Sequence, residues 1–448
     1  MKSRLQFLKP KAATATTTTT KPNWLAAASS EKHISDVVHL LTIRESARYV
    51  ARDASRQKAL EASEPVPPNK SSISMGPFQR KEEINPKHVE HYAITTGVHE
   101  DNQDMNRYID IIPYDRTRMV IDEGCPPPIG NEEYKGKGHG RYLNANWVLE
   151  KYGHKWWIAT QAPLRHTAHA FLSVMLQPCV HPPYTSASQP GDSKNSRVRT
   201  VVQLTRNVEG GRKKADAYFP SEVGKSIVVL AEHGCHASPL KVTLLEKKTI
   251  KDAHCVQSTV SVIPLVEPSH PRSEHLEANS KDEDDDRDCS QGVVFNHLLY
   301  LSWPDHGVPA PEDRNSLLEF IQLVDQINRD TSRCAVHPAA TPSHVCEELD
   351  PDPPIMVGCS AGIGRTGAFL ALSSLLREYG FLRPAAHPTI EPAVHNSPLG
   401  HISSDLRDDL VLQEIDSLRE QRPGMVQRTE QVILVYKLLA AVFGGNTQ

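Results

Sequence analysis

Residues 355–370 place an apolar strand, a glycine-rich loop and the start of a helix within one short stretch of sequence. The stretch reads Ile-Met-Val-Gly-Cys-Ser-Ala-Gly-Ile-Gly-Arg-Thr-Gly-Ala-Phe-Leu. Gly362 and Gly364 permit backbone conformations that other residues resist, so consecutive N–H groups of the loop can point towards one centre. The helix that follows adds the positive end of its dipole. Together these features predict a cradle that suits a phosphate.

Two side chains of this stretch face the centre of the loop. Arg365 offers two parallel donors that match the oxygens of a phosphate. The same positive field favours the thiolate of Cys359, and a thiolate beneath a bound phosphorus atom is a nucleophile in place. A bare C-x5-R pattern often arises by chance, but the full string after an apolar strand is specific. We therefore predict Cys359 as the nucleophile, Arg365 as the phosphate clamp, and a cradle formed by Ser360, Ala361, Gly362, Ile363 and Gly364.

With these residues the sequence resembles the non-receptor protein tyrosine phosphatases, a cysteine-dependent family with the C-x5-R loop. The resemblance extends to Trp303-Pro-Asp-His-Gly-Val-Pro309, which is similar to the family's mobile acid loop. It implies that Asp305 is the general acid and base that protonates the departing aryl oxide. Asp305 precedes Cys359, which is the order of this family.

Residues 106–110, Asn-Arg-Tyr-Ile-Asp, resemble the family's phosphotyrosine-recognition loop. The resemblance implies that Tyr108 forms a wall against the substrate ring and sets the depth of the pocket. Asp110 would accept hydrogen bonds from the backbone of the substrate. A deep pocket rejects phosphoserine, which is too short to reach the thiolate.

Residues 422–431, Arg-Pro-Gly-Met-Val-Gln-Arg-Thr-Glu-Gln, look like the family's glutamine motif. By resemblance, Gln427 positions the water that hydrolyses the phosphocysteine, and Gln431 lies one helical turn further on. Thr366 would stabilise the departing thiolate. Lys214 begins another segment that matches the family and would hydrogen-bond the closed acid loop, with a solvated surface lysine as the alternative.

One departure concerns the residue before the nucleophile. The family usually has a histidine there, which helps to position the cysteine and tune its pKa, but this chain has Gly358. The 22 histidines of the sequence offer no obvious replacement. We expect a working enzyme with a shifted pH profile. The alternatives are a catalytically weak pseudophosphatase that binds phosphotyrosine, or a dual-specificity phosphatase, which would need a shallower pocket than the Tyr108 motif predicts.

Strand-like and helix-like runs alternate from about residue 85 and predict an α/β (α+β) fold, which the resemblance specifies as a central twisted mixed β-sheet flanked by helices. Predicted strands cover 156–160, 199–204, 241–245, 257–263, 293–301 and 355–357, and predicted helices cover 167–176, 315–328, 367–377, 406–419 and 427–443. The catalytic domain is predicted at 85–445. Surface insertions rich in Pro, Ser, His or acidic residues are predicted at about 180–197, 267–291, 335–353 and 384–404.

Residues 1–84 are predicted to be an extension of low complexity that ends in a proline-rich linker. Within it, apolar residues at helical spacing predict one helix at 31–63, which packs on the domain or docks a partner. The low hydrophobic fraction of 38% and the large number of prolines, 34 in the whole chain, are attributed largely to the extension and the insertions. The basic start of the chain is interpreted as a disordered tail in preference to an organelle transit peptide.

The remaining composition excludes several classes of function. A net charge of −4 argues against nucleic-acid binding, and no apolar run is long enough for a membrane span. The eight cysteines are scattered, which disfavours a disulfide framework or a zinc site and favours a cytoplasmic setting, with the nucleus as the alternative. The resemblance implies phosphotyrosine-containing proteins as partners, no metal and no cofactor. A thiolate at Cys359 would also be sensitive to oxidation.

Overall fold

The computed structural model describes residues 21–28, 30–63, 84–121, 140–179, 196–265, 292–305, 307–331 and 349–444. The predicted insertion at 267–291, most of those at 180–197 and 335–353, and residues 1–20 and the proline-rich linker of the extension lie outside this part of the chain. No helix within the described ranges has the length and apolar character needed to cross a bilayer.

Ten α-helices and eleven strands make up the described chain. The helices are α1 (Asn23–Ala27), α2 (Glu31–Ser63), α3 (Pro86–His91), α4 (Thr95–Val98), α5 (Ala168–Leu176), α6 (Arg314–Asn328), α7 (Gly364–Glu378), α8 (Pro392–His395), α9 (Leu410–Gln421) and α10 (Thr429–Gly444). The strands are β1 (Arg118–Ile121), β2 (Arg141–Leu149), β3 (Trp156–Gln161), β4 (Thr200–Gln203), β5 (Val208–Glu209), β6 (Arg212–Lys213), β7 (Ser226–Val229), β8 (Leu240–Ile250), β9 (Cys255–Pro264), β10 (Val293–Tyr300) and β11 (Ile355–Cys359).

Nine of these strands form one mixed sheet in the order β1-β2-β3-β11-β4-β10-β9-β8-β7, and β5 and β6 form a separate hairpin. The central strands β3, β11, β4 and β10 run parallel to one another. The outer strands pair antiparallel on both sides. The predicted α/β class with a mixed sheet is therefore confirmed. Because β11 is central, its last residue, Cys359, lies at the carboxyl edge of the parallel strands, where α/β sheets bind ligands.

Helices cover both faces of the sheet. On one face, Ile355, Val357 and Cys359 of β11 join a core with residues of α6, α7, α9 and α10. On the other face, Met356 packs in a second core with α5. Helix α7 is buried along nearly its whole length, polar residues such as Ser373 and Ser374 included, because it packs against β11, α9 and α10. The strand–loop–helix unit that carries the candidate site is thus held rigidly between two cores.

Helix α2 has the bounds that the sequence predicts, and it packs against α9. The fully buried Arg48 pairs with Glu420 at 2.6 Å and with Asp416 at 2.5 Å. The main-chain oxygen of Leu41 accepts a hydrogen bond of 2.8 Å from Nη1 of Arg419. Buried ion pairs of this kind are costly to break on one side only, so α2 is firmly attached.

Residues 384–404, where the sequence predicts a surface insertion, are more than half exposed but also contact the domain. They include α8, and Val394 is fully buried in the core on the α5 face of the sheet. The amide of Thr389 donates to the His154 carbonyl at 3.0 Å, and Nδ1 of His395 lies 2.6 Å from Oγ of Ser417. The segment's prolines and histidines suggested solvent, but one apolar side chain and these polar contacts bind it to the domain.

Candidate active site

The loop between β11 and α7 turns its carbonyl groups away from its centre. The Ser360 carbonyl accepts from the Ala162 amide at 3.1 Å. The carbonyls of Ala361 and Gly362 accept from Arg422 at 3.0 and 2.8 Å. Since C=O and N–H of a trans peptide point in opposite directions, the amide after each of these carbonyls points towards the centre of the loop. The predicted cradle residues therefore lie in an arrangement that can bind an anion.

Two glycines make this conformation accessible. Gly362 has a φ of +70°, and a Cβ there would lie 2.1 Å from the carbonyl oxygen of Thr160. Gly364 begins α7, and a Cβ there would lie 2.9 Å from Nε2 of Gln431. The backbone and the neighbouring strand require glycine at 362, whereas a side chain at 364 would displace the amide end of Gln431.

The thiol of Cys359 is buried at the base of the loop. Burial alone would raise its pKa, but the charge of Arg365, the Thr366 hydroxyl and the amides of Thr366 and Ile363 outweigh burial and lower the pKa below its usual value. The buried hydroxyl of Thr366 has no oxygen or nitrogen partner among the described residues, which leaves it available to the sulfur. The surroundings of Cys359 therefore favour a thiolate.

The guanidinium of Arg365 is fixed by a carboxylate behind it. Its two terminal nitrogens donate to the two oxygens of Glu209, each at 2.8 Å, and Nη1 also donates to the Leu204 carbonyl at 3.0 Å. Burial alone would lower the pKa of Arg365, but Glu209, Cys359 and Asp305 raise it. This bidentate pair orients the plane of the guanidinium while the cation stays next to the thiol.

The acid loop places Asp305 above the cysteine loop. Oδ2 of Asp305 lies 2.9 Å from Nζ of Lys214, and Oδ1 lies 3.5 Å from Nη2 of Arg365. The buried Trp303 donates from Nε1 to the Gly307 carbonyl at 3.1 Å, which holds the two ends of the turn together. A carboxyl group between two cations, close to the nucleophile, is placed where it can exchange a proton with a leaving group.

The recognition residues lie at the mouth of the same site. The hydroxyl of Tyr108 lies 2.8 Å from Oγ of Ser360, which itself donates to the Lys214 carbonyl at 2.8 Å. Because the Ser360 proton is used in that second bond, Tyr108 donates to Ser360. Tyr108 is half-buried, whereas Asp110 is exposed and its neighbour Ile109 is 79% exposed. The aromatic wall thus contacts the cradle, and the carboxylate faces solvent beside it.

The two glutamines occupy different surroundings. Gln431 is buried against Gly364, and its Oε1 accepts from the Arg428 amide at 3.1 Å. Gln427 is exposed in the turn before α10. The preceding residue, Val426, donates its amide to the Ile363 carbonyl at 3.2 Å, so the glutamine motif lies directly against the cysteine loop.

The structure brings three further residues to the site that we did not assign from the sequence. Glu209 precedes a Gly-Gly turn, and its sequence context indicates a hairpin but no role at the site. Arg422 belongs to the glutamine motif, yet its role as the donor to the loop carbonyls of Ala361 and Gly362 becomes visible only in the structure. It also donates to Oδ1 of Asn146 at 2.7 Å and of Asn144 at 2.9 Å, and burial lowers its pKa to about 10. Arg107 donates to the carbonyls of Ala162 and Pro163 and to Asp216.

Comparison with known proteins agrees with this geometry. The family model described as protein-tyrosine phosphatase matches residues 102–181 and 194–380, more than half of the chain. The matched segments contain the recognition loop, the acid loop and the cysteine loop. The glutamine motif lies beyond the matched residues.

Individual relatives are distant. Tyrosine-protein phosphatase non-receptor type 18 of Mus musculus is 25% identical over 347 residues, which is 78% of this chain and 53% of that protein. The type 9 protein of Homo sapiens is 26% identical over 406 residues, 90% of this chain and 49% of that protein. The chain thus spans about half the length of these curated relatives. The solved catalytic domain of human type 18 is 22% identical, with a TM-score of 0.47, over 78% of this chain and 88% of that one. On the strength of the family match, the chain belongs to the protein-tyrosine phosphatase family.

Proposed function

We propose that this protein hydrolyses phosphotyrosine in proteins through a phosphocysteine intermediate. One observation carries the proposal: a cysteine thiol with a lowered pKa, an oriented arginine and a carboxyl group converge on one loop. Cys359 supplies the nucleophile, Arg365 the phosphate clamp and Asp305 the proton. The lowered pKa of Cys359 supports an ionised nucleophile even though Gly358 replaces the family's usual histidine.

In the first step, the loop amides and Arg365 bind the phosphoryl oxygens. The thiolate of Cys359 attacks phosphorus in line, the bond from phosphorus to the tyrosyl oxygen breaks, and Asp305 gives its proton to that oxygen. Arg365 and the amides offset the negative charge on the equatorial oxygens, so the step does not call for a metal ion.

In the second step, water attacks the phosphocysteine. Gln427 positions this water, and Asp305, now a carboxylate, takes its proton while the sulfur–phosphorus bond breaks. The Thr366 hydroxyl stabilises the thiolate that leaves. Gln431, which is buried against Gly364, supports the placement of the motif beside the cradle.

The substrate binds between Tyr108 and the cradle. The phenol ring of the substrate packs against Tyr108, and the exposed Asp110 accepts hydrogen bonds from the peptide backbone. This arrangement supports phosphotyrosine-containing proteins as the partners. A mechanism that needs a reduced thiol fits the cytoplasm, with the nucleus as the alternative.

The test is release of phosphate from a phosphotyrosine peptide by the full chain in the presence of EDTA. We expect turnover in the wild type and in a Cys235→Ser control, and none in Cys359→Ser. Turnover that persists in Cys359→Ser would contradict the mechanism. Stable peptide binding without phosphate release in a single turnover would identify a pseudophosphatase, and equal rates on a phosphoserine peptide would identify a dual-specificity enzyme.

A further inference from the structure

The residue before the nucleophile has no side chain and no room for one. Gly358 pairs with Thr160 of β3 on one side and with Gln203 of β4 on the other. A Cβ at Gly358 would lie 2.6 Å from the Thr160 carbonyl oxygen. Side chains that stabilise the sheet beside Cys359, at the carboxyl ends of the parallel strands, must therefore come from neighbouring strands.

A buried histidine and a glutamine occupy the same face of the sheet as Gly358. Side chains alternate between faces along a strand, and Gln203 and His297 both fall on the face opposite α7. Nε2 of His297 lies 3.0 Å from Oε1 of Gln203. The rings of Tyr218 and Phe219 contact His297 edge-on, with centroids 5.9 and 5.0 Å away, and keep it from solvent.

The direction of every hydrogen bond in this pair is determined. Nε2 of Gln203 donates to the Thr205 carbonyl at 2.7 Å and to Oδ1 of Asn207 at 3.0 Å, so Oε1 must accept from His297. Burial lowers the pKa of His297 to about 3, so its ring is neutral and carries its proton on Nε2. The glutamine amide is therefore locked, and it fixes the turn at residues 205–207.

That turn holds the hairpin β5–β6, which carries two groups of the active site. The Asn207 carbonyl accepts from the amide of Lys214 at 2.8 Å. The amide of Arg206 donates to Oε1 of Glu209 at 2.9 Å. Lys214 contacts Asp305, and Glu209 orients Arg365. A shift of the turn would therefore move Lys214 away from the general acid, whereas Glu209 stays bound to Arg365 through two hydrogen bonds of 2.8 Å.

We propose that His297 and Gln203 are positioning residues that set the hairpin β5–β6, and through it hold Lys214 against the acid Asp305. Neither residue touches the substrate. The inference rests on the proposed function, because its effect is the transfer of the proton from Asp305 to the leaving group. Losing the pair would leave the thiolate and the cradle intact but would populate the closed acid loop less.

The test uses aryl phosphates whose leaving groups differ in basicity, because only a poor leaving group needs the proton. In the full chain, we expect Gln203→Met and His297→Leu to lower kcat/KM for phenyl phosphate by about tenfold or more, and for 2,4-dinitrophenyl phosphate by less than about threefold. His297→Gln restores a donor near the position of Nε2 and should recover most of the loss. Asn207 lies at an exposed position, so Asn207→Ala carries no risk to folding. This variant should also lower kcat/KM more for phenyl phosphate than for 2,4-dinitrophenyl phosphate.

The matched control is His395→Leu. His395 is a half-buried histidine whose pKa is also lowered to about 3 by burial, and it contacts Ser417 instead of the hairpin. Equal losses on both esters, or an effect no larger than that of His395→Leu, would overturn this inference alone. Absence of wild-type turnover on both esters would overturn the proposed function, and this inference with it.

Discussion

Lys214 and Asp305 form an ion pair of 2.9 Å that joins the hairpin β5–β6 to the acid loop. The two residues are far apart in sequence and belong to different elements, yet their contact closes the acid loop over Cys359. Because both side chains are shielded from most solvent, the pair is screened less than a surface ion pair. Under the proposed function, the contact stabilises the position from which Asp305 gives its proton to the leaving group.

Replacing Lys214 by methionine should weaken this closure. We expect kcat/KM for a poor leaving group to fall about tenfold, since a small misplacement of a catalytic group is costly. Lys213→Met is the control, because the adjacent and more exposed Lys213 pairs with Asp216 instead. Steady-state kinetics of the two variants measure the difference, and similar values for both would contradict the prediction.

Replacing Asp305 by alanine removes the proton donor and leaves the cradle in place. We expect kcat to fall about 10²–10⁴-fold, while phosphotyrosine peptides still bind. Peptide binding can be measured by calorimetry and turnover by phosphate release. This variant should retain cellular phosphotyrosine proteins during purification. A change of binding affinity as large as the change of kcat would argue against a role for Asp305 in proton transfer.

Replacing Thr366 by valine removes a hydroxyl group that lowers the pKa of Cys359. The pKa of Cys359 is lowered in the protein, so the thiolate persists to a lower pH than in a free cysteine. In Thr366→Val, the pH profile of iodoacetamide alkylation at Cys359 should move to higher pH. Cys179 is an internal control, since burial raises the pKa of its thiol to about 12. An unchanged alkylation profile would show that the hydroxyl does not contact the sulfur.

Any side chain at position 358 should destabilise the fold. An alanine Cβ would lie 2.6 Å from the Thr160 carbonyl oxygen, and backbone cannot move aside as a flexible side chain can. We expect Gly358→Ala to lower the free energy of unfolding by about 1–3 kcal/mol. Gly444→Ala is the control, because a Cβ there meets nothing within 4 Å. Urea unfolding of both variants tests the prediction, and equal stabilities would show that the strands can separate.

The buried ion pair of Arg48 and Glu420 should make the free energy of unfolding fall at low pH. Burial alone would raise the pKa of Glu420, but His91 and Arg48 lower it to about 2, from 4.5 for an unperturbed group. A carboxyl group with a lowered pKa in the folded state contributes stability that is lost as the pH falls from about 4.5 to about 2. Between these pH values, the free energy of unfolding of Glu420→Gln should fall less steeply than that of the wild type. Glu430 is exposed, so Glu430→Gln should match the wild type in urea unfolding at each pH. Parallel curves for all three proteins would exclude the linkage.

The central unit of the fold could be predicted because its signals are local. An apolar strand, a loop of small residues and an apolar helix follow one another in 355–378, and the predicted strand and helix lie inside the observed ones. Strand β2 was missed for an equally physical reason. It carries the polar Asn144 and Asn146 in a buried stretch, and their amides bind Arg422, a partner more than 270 residues away.

The residues of the site likewise divide into those that the sequence predicts and those that only the structure reveals. Cys359 and Arg365 follow from the chemistry of one loop, and the resemblance supplied Asp305, Tyr108 and Gln427. Glu209 and the pair of Gln203 and His297 could not be found in this way, because they act through neighbours on other strands. A single buried histidine has the same appearance in a sequence whether it supports a catalytic hairpin or only fills a core.

The guanidinium of Arg419 joins helix α2 to the turn before Gln427. It donates to the Leu41 carbonyl in α2 and to the carbonyls of Met425 and Val426, just before Gln427. A recombinant fragment cut at residue 102, where the family match begins, would lack α2 and leave Asp416 and Glu420 without Arg48. Such a fragment would keep every signature residue but lose the Leu41 carbonyl that helps to hold Arg419 beside the turn before Gln427, so it would be a misleading substitute for the protein in inhibitor screens.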